Sequence, residues 1–311
     1  QERLGVVFAA LCAAAGAFVP AAARLTTATA DALFVATATS VFAAVAAHVL
    51  LALRRELGRL AVRRHAPALI LIGALGTAVT FLLFYEGARR TSAILPALCL
   101  QVEPLYALLL ARAFLGHPIT RRRLAAVLGI LAGIALALNP DGVSGWVGVG
   151  LLLATPLGWQ ISHLVVLRHL PDVAPPTLTG ARYLFGGALL AVVWLATGGI
   201  ARLPDPATLA SLVPALALQG VLLCFVGTLL WYGTIARLDL ARATSIVVPS
   251  IPLLSLGASF LLLGEVAGPR QLAGLGLAAV GVLAFVTAPD AHEARMRVPS
   301  PTAPIAVADR E

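Results

Sequence analysis

Charge is what this sequence has least of. Only 12% of its 311 residues are Asp, Glu, Lys or Arg, against roughly 25% in a soluble globular domain. With 60% hydrophobic residues the chain cannot cover a water-facing surface, so lipid must be its solvent. Lysine is absent, and all 22 basic residues are arginine. The formal charge of +8 does not mark a nucleic-acid binder, because the arginines stand in short connections between apolar runs. Cysteine is also scarce. Cys12, Cys99 and Cys224 each lie inside an apolar run without metal-ligand spacing, which reads as three small buried thiols. The chain lacks GxxxxGK[ST], HExxH, GxSxG and an intramembrane pair of aspartates. ATP-driven transport by this chain alone and membrane-embedded catalysis both lose their support, and no cofactor or metal is expected.

What is present is a series of apolar stretches. A hydrocarbon core of ~30 Å takes ~20 helical residues. Ten such runs are predicted, over 4–23, 29–53, 67–85, 92–114, 124–139, 146–167, 178–198, 211–235, 243–263 and 271–288. The first has the outline of a secretory signal, with Arg3 before it and Ala21, Ala22 and Ala23 after it. The repeat described below requires it as a retained helix. Residues 289–311 turn polar and proline-bearing, which predicts a disordered tail. Orientation follows from arginine placement. With a cytoplasmic N-terminus, fourteen arginines fall inside (3, 54, 55, 59, 63, 64, 121–123, 168, 237, 242, 295 and 297). Five fall outside (24, 89, 90, 202 and 270). Both termini are therefore expected in the cytoplasm, on a multi-pass protein of a bacterial inner membrane.

The chain repeats itself. Pro104, Gly116, Leu124 and Gly133 recur as Pro252, Gly264, Leu272 and Gly281, 148 residues on. Gly73, Tyr85 and Arg90 recur as Gly220, Tyr232 and Arg237, 147 residues on. The unit is five spans, and an odd number forces the second copy to enter the membrane upside down. The expected fold is an all-α membrane protein of ten transmembrane helices, built as two inverted five-helix repeats around a central cavity. The first repeat covers 1–140, the second 141–288, and 289–311 form a cytoplasmic tail. Inverted repeats of this kind characterise secondary transporters.

At this point the sequence resembles the drug/metabolite transporter superfamily and its ten-span EamA-type exporters. The residues that carry the likeness are Gln101-Val102-Glu103-Pro104-Leu105 and Leu115-Gly116 in the first half. In the second half they are Pro252, Leu263-Gly264-Glu265, Gln271, Gly274 and Gly281. The likeness spans 4–288 and includes a YddG-like branch that handles aromatic amino acids. It departs at Gly116-His117, where the second half has Gly264-Glu265. The resemblance implies a basket of helices whose spans 1–4 and 6–9 enclose a cavity, with spans 5 and 10 outside it. It also implies export of amino acids, other metabolites or organic cations.

Candidate site residues follow from polarity inside apolar runs. Glu103 lies about 16 Å along span 4, near mid-bilayer, where an acidic side chain costs ~2.5–3.5 kcal/mol on insertion scales. Facing a cavity it can pair with a substrate amine or carry a proton; the alternative is a structural carboxyl bonded to a neighbour such as Gln101. Trp159, Gln160 and His163 share one face of span 6, suited either to an amphipathic solute or to ordinary interhelical bonding. Ser250 joins the cavity candidates. Pro96 and Pro104 in span 4, and Pro249 and Pro252 in span 9, read as paired hinges at a transport site. Tyr85 and Tyr232 are gate or aromatic-belt residues, and Trp231 is a belt residue. Arg182 either attracts a carboxylate or extends to lipid headgroups. Gly129 with Gly133, and Gly274 with Ala278, permit close helix packing within the bundle or in a homodimer.

The sequence thus predicts an alternating-access exporter of small organic metabolites, among them amino acids including aromatic ones, with lipid and protons as partners. A channel-like facilitator and a non-transporting scaffold or sensor share the same outline. Reporter fusions or cysteine labelling at the two termini are expected to place both on the cytoplasmic side; labelling on opposite sides would refute the arginine-based orientation.

Overall fold

A computed structural model describes residues 2–288 except Val62, His117, Pro140, Asp141, Ala236 and Asp239. The expected tail 289–311, His117 and the Tyr232 side chain lie outside the described residues. Ten helical rods run α1 (Glu2–Thr27), α2 (Ala32–Leu53), α3 (Ala66–Arg89), α4 (94–115), α5 (Arg121–Ala137), α6 (Gly142–His169), α7 (Pro175–Ala196), α8 (206–235), α9 (Leu240–Leu263) and α10 (Pro269–Val286). Among the described residues nine of these are long and apolar enough to cross a membrane. The exception is α5. Its 17 residues make about 25 Å of helix, and its first three are arginines.

The connections stay short because the rods stop and start on local chemistry. Asp31 Oδ1 accepts the amides of Leu33 and Phe34 to open α2, and Asp205 does the same for Ala207 and Thr208 at α8. Thr120 Oγ1 accepts the Arg123 amide ahead of α5. Proline occupies the first turn of α3, α7, α8 and α10, where its missing N–H has no intrahelical partner to lose. Gly116 and Gly264 close α4 and α9 at φ 71° and 67°, a left-handed conformation that only glycine adopts without cost. They are the pair related by 148 residues.

Packing sorts the rods. α5 lies along α10, α1 along α9, and α2 along α7 and α8. The α5–α10 contact is backbone to backbone. A Cβ on Gly133 would stand 2.5 Å from both the Ala278 nitrogen and the Gly274 oxygen. The small-residue spacing in these two spans is therefore spent inside the bundle.

Three rods are irregular. α3 changes to π-helix at Ala74–Val79 and α8 at Leu218–Val226. Shifted by 147 residues, 74–79 becomes 221–226, inside the second π segment. α4 is interrupted by a 3₁₀ turn at Leu100–Val102. The cause is Pro104, which cannot donate to the Leu100 carbonyl; the Glu103 amide takes that carbonyl instead. Here the expected pairing of broken helices needs correction. α9 is α-helical throughout, with Pro249 and Pro252 inside it. Two of its serines bond to the helix: Ser250 Oγ donates to Ile246 O (2.6 Å) and Ser255 Oγ to Ile251 O (2.8 Å), with Ala17 O of α1 also within reach of Ser255 (3.0 Å). Pro96 sits in the first turn of Ile94–Cys99, ahead of the interruption.

The apolar core is continuous at one end of the bundle, where Ala23, Tyr85, Ala88, Ile94, Leu95, Leu152, Leu190, Leu212 and Leu216 belong to one cluster. Toward the other end it divides. Leu69, Ile72, Leu170 and Leu178 form one group, and Ala9, Cys12, Ala13 and Val247 another.

Gly133→Ala is expected to cost about 1–3 kcal/mol through overpacking and to lower the thermal unfolding temperature in detergent. Gly276→Ala, where nothing stands within 4 Å of the added carbon, is the neutral control. Equal unfolding temperatures for the two variants would show that α5 and α10 can separate freely.

Candidate functional site

Where the core divides, the bundle holds a cavity of about 370 Å³, in the range of small-molecule sites. Its walls come from α1, α3, α4, α6, α7, α8 and α9. No described residue of α2 lines it. The resemblance led to an expectation of α2 in the wall, but its buried Val35, Ala36, Thr39, Ser40 and Ala43 are spent on α7 and α8.

Most of the wall is apolar and aromatic: Phe81, Phe84, Tyr85, Trp159, Tyr183 and Trp231 all contribute. Phe81 packs on Tyr85 at 5.7 Å and on Tyr183 at 6.2 Å between ring centroids. Polar groups are few. Glu103 lines the cavity and keeps part of its surface accessible. Its Oε1 accepts a hydrogen bond from Gln160 Nε2 at 2.6 Å. The 3₁₀ turn imposed by Pro104 opens directly into Glu103, so the proline and the carboxylate occupy one backbone feature. Pro104 itself is a wall residue. Gln101 is buried one turn earlier; its Nε2 donates to Ala97 O (3.4 Å) while its Oε1 has no partner. The buried Nε1 of Trp159 is likewise unpartnered. His163 completes the polar face of α6 on the wall.

Glu103, Gln101, Trp159 and His163 are thus brought to one cavity, with Gln160 bound to Glu103. Ser250 is not among the wall residues, since its hydroxyl is turned onto its own helix. Pro96, Pro249 and Pro252 also stand outside the wall. Tyr85 is no belt residue. It is 1% exposed, and its hydroxyl donates to Gln219 Oε1 at 3.0 Å. Gln219 Nε2 in turn donates to Ala22 O (2.8 Å) and Thr26 Oγ1 (3.0 Å), which ties α1, α3 and α8 together.

Two wall residues of consequence stand outside the cavity set expected from the sequence. Trp231, assigned to the membrane interface, faces the cavity. Arg182, for which headgroup contact was one alternative, also turns inward. Its signal was legible: a charged residue about 10 Å into an apolar helix marks a functional position by default.

Comparison with known proteins agrees with this geometry. A protein from Streptantibioticus cattleyicolor named as a probable terminal-alkyne amino-acid exporter is 28% identical over 248 residues, covering 75% of this chain and 78% of that one. An uncharacterized transporter from Archaeoglobus fulgidus is 24% identical over 241 residues, covering 76% and 83%. A protein of known crystal structure shares the fold with a TM-score of 0.61 across 91% of this chain and 96% of that one, at 14% identity. The sequence profile of the EamA-like transporter family matches residues 3–139 and 146–287, nearly the whole helical bundle. The chain belongs to the EamA-like transporter family.

Proposed function

We propose that the chain exports small amine-bearing metabolites, amino acids foremost, as a secondary carrier working by alternating access. The observation that carries this reading is Glu103, a carboxylate held by Gln160 inside an aromatic-walled cavity. A cationic amine there finds its counter-charge at Glu103, a hydrogen-bond acceptor at Gln101 Oε1 and ring faces for cation–π or stacking contact. When no substrate is bound, a proton can serve the same carboxylate, which offers a route to coupling. The relative named as an amino-acid exporter supports this substrate class.

Ten spans in two inverted halves complete the proposal. The matched π segments, the matched Gly116 and Gly264 caps and the α5–α10 pairing support that arrangement. On the arginine-based orientation, the continuous core lies at the outer end and the divided core at the cytoplasmic end. The described conformation then corresponds to a carrier closed outside by the Tyr85–Gln219 clasp. α5, short and arginine-led, sits at the periphery with α10.

In proteoliposomes, Glu103→Gln is expected to weaken amine-substrate transport about 10- to 100-fold, the equivalent of a lost charge-assisted hydrogen bond, while the variant stays monodisperse in detergent. Unchanged transport with unchanged pH dependence would remove Glu103 from the mechanism. Trp159→Ala is expected to raise the half-saturation concentration of aromatic solutes about 3- to 10-fold and to spare aliphatic ones. An equal loss for both would assign Trp159 to packing.

A further inference from the structure

Arg182 is the one guanidinium among the described cavity-wall residues, and no described carboxylate stands within ion-pair distance of it. Its Nε donates to Thr77 Oγ1 at 3.1 Å and its Nη2 to Gly76 O at 2.5 Å. Both acceptors are neutral, and both belong to the π segment of α3. The guanidinium has five N–H donors, and these bonds occupy two. A positive charge in a membrane-embedded wall is thereby hydrogen-bonded but not neutralised, which is costly unless an anion visits.

The neighbourhood is built to hold it there. α3 and α7 meet at two glycines: a Cβ on Gly186 would stand 2.6 Å from Gly73 O and 2.5 Å from the Thr77 Cβ. A Cβ on Gly76 would stand 2.5 Å from Ser162 Oγ and 3.4 Å from Arg182 Nε. The close approach brings Arg182 within reach of a carbonyl in the π segment, and Tyr183 lies beneath it at 5.9 Å from Cζ to ring centroid.

We propose that Arg182 is a carboxylate subsite, and that a substrate carboxylate takes the guanidinium from Gly76 and Thr77 when it binds. A carboxylate is a stronger acceptor than a carbonyl or hydroxyl and matches the guanidinium fork with two parallel bonds. The inference rests on the carrier reading and narrows its substrate class. With Glu103 for the amine and Arg182 for the carboxylate, the cavity takes zwitterionic amino acids in preference to the amines derived from them. Because the donors given up are those that join α7 to the π segment of α3, loading releases a contact between two wall helices.

The test measures binding by thermal stabilisation of the detergent-solubilised protein, and transport by counterflow in proteoliposomes. The probes are phenylalanine and phenethylamine, which differ by the carboxylate. Wild type is expected to bind phenylalanine more tightly by about tenfold or more, and Arg182→Gln to lose that preference without weakening phenethylamine. Thr77→Val, which keeps the arginine and removes one competing acceptor, is expected to tighten phenylalanine binding and leave phenethylamine unchanged. Equal affinity for the two probes in wild type would overturn the subsite, and this comparison needs no variant to fold. An unchanged or weakened phenylalanine affinity in Thr77→Val would overturn the hand-over. Selective phenylalanine binding without counterflow would sink the carrier reading and leave the carboxylate subsite standing. Counterflow with no preference between the probes would do the reverse.

Discussion

A polar group inside a bilayer has to be answered by the protein itself, because hydrocarbon offers no partner. The Glu103–Gln160 bond is where this constraint bears hardest. A carboxylate in the middle of the α4 span demands both a neighbouring helix to hydrogen-bond it and a space from which lipid is excluded. α6 supplies the amide, and seven helices supply the space. The aromatic walls follow from the same demand, since they shield the few polar atoms while remaining able to contact an organic solute.

Regular and irregular helix are distributed accordingly. α5 and α10 contribute nothing to the described cavity wall, and they pack through glycine and alanine as uninterrupted α-helices. The π segments fall in α3 and α8 and the 3₁₀ turn in α4, all of which line the cavity. Each irregularity shifts the backbone hydrogen-bond register of its helix. In α3 the π segment holds Gly76, whose carbonyl accepts both Thr80 Oγ1 and Arg182; in α4 Glu103 stands directly after the turn. Irregular backbone at membrane depth is tolerated where it is buried in protein or lines a cavity, and here it falls in helices that contribute to the wall.

The two ends of the bundle are held differently. At one end Gln219 links three helices through Tyr85, Ala22 and Thr26. There too Glu265 Oε2 accepts the amide of Ala93 at the start of α4 (2.8 Å), a negative charge at a helix N-terminus. Glu86 pairs with Arg89 and Arg90 nearby. Toward the other end the clusters on α3 with α7 and on α1 with α9 are separate. The bundle is therefore tied across its helices at one end and parted at the other. The Glu265 carboxylate, which has no acidic counterpart after Gly116, is committed to the end where α4 begins.

The sequence by itself determined the solvent, the number of helical rods, and the acid of α4 and the polar residues of α6 that meet at the cavity. Each of these depends on hydrophobicity and spacing, which are properties of residues in order. It misjudged α9, whose prolines are absorbed into a continuous helix with serine hydroxyls beside them, while Pro104 forces a turn. It also left undecided whether Arg182 faces headgroups or cavity and whether Tyr85 is a gate or a belt residue, and placed Trp231 at the interface. Side-chain direction at a helix end depends on the neighbouring helix, and that neighbour is set by contacts such as Gly73 with Gly186, 113 positions apart in the numbering. Only the tertiary structure could bring an arginine of α7 to a carbonyl of α3, because no local pattern announces where a helix will release one.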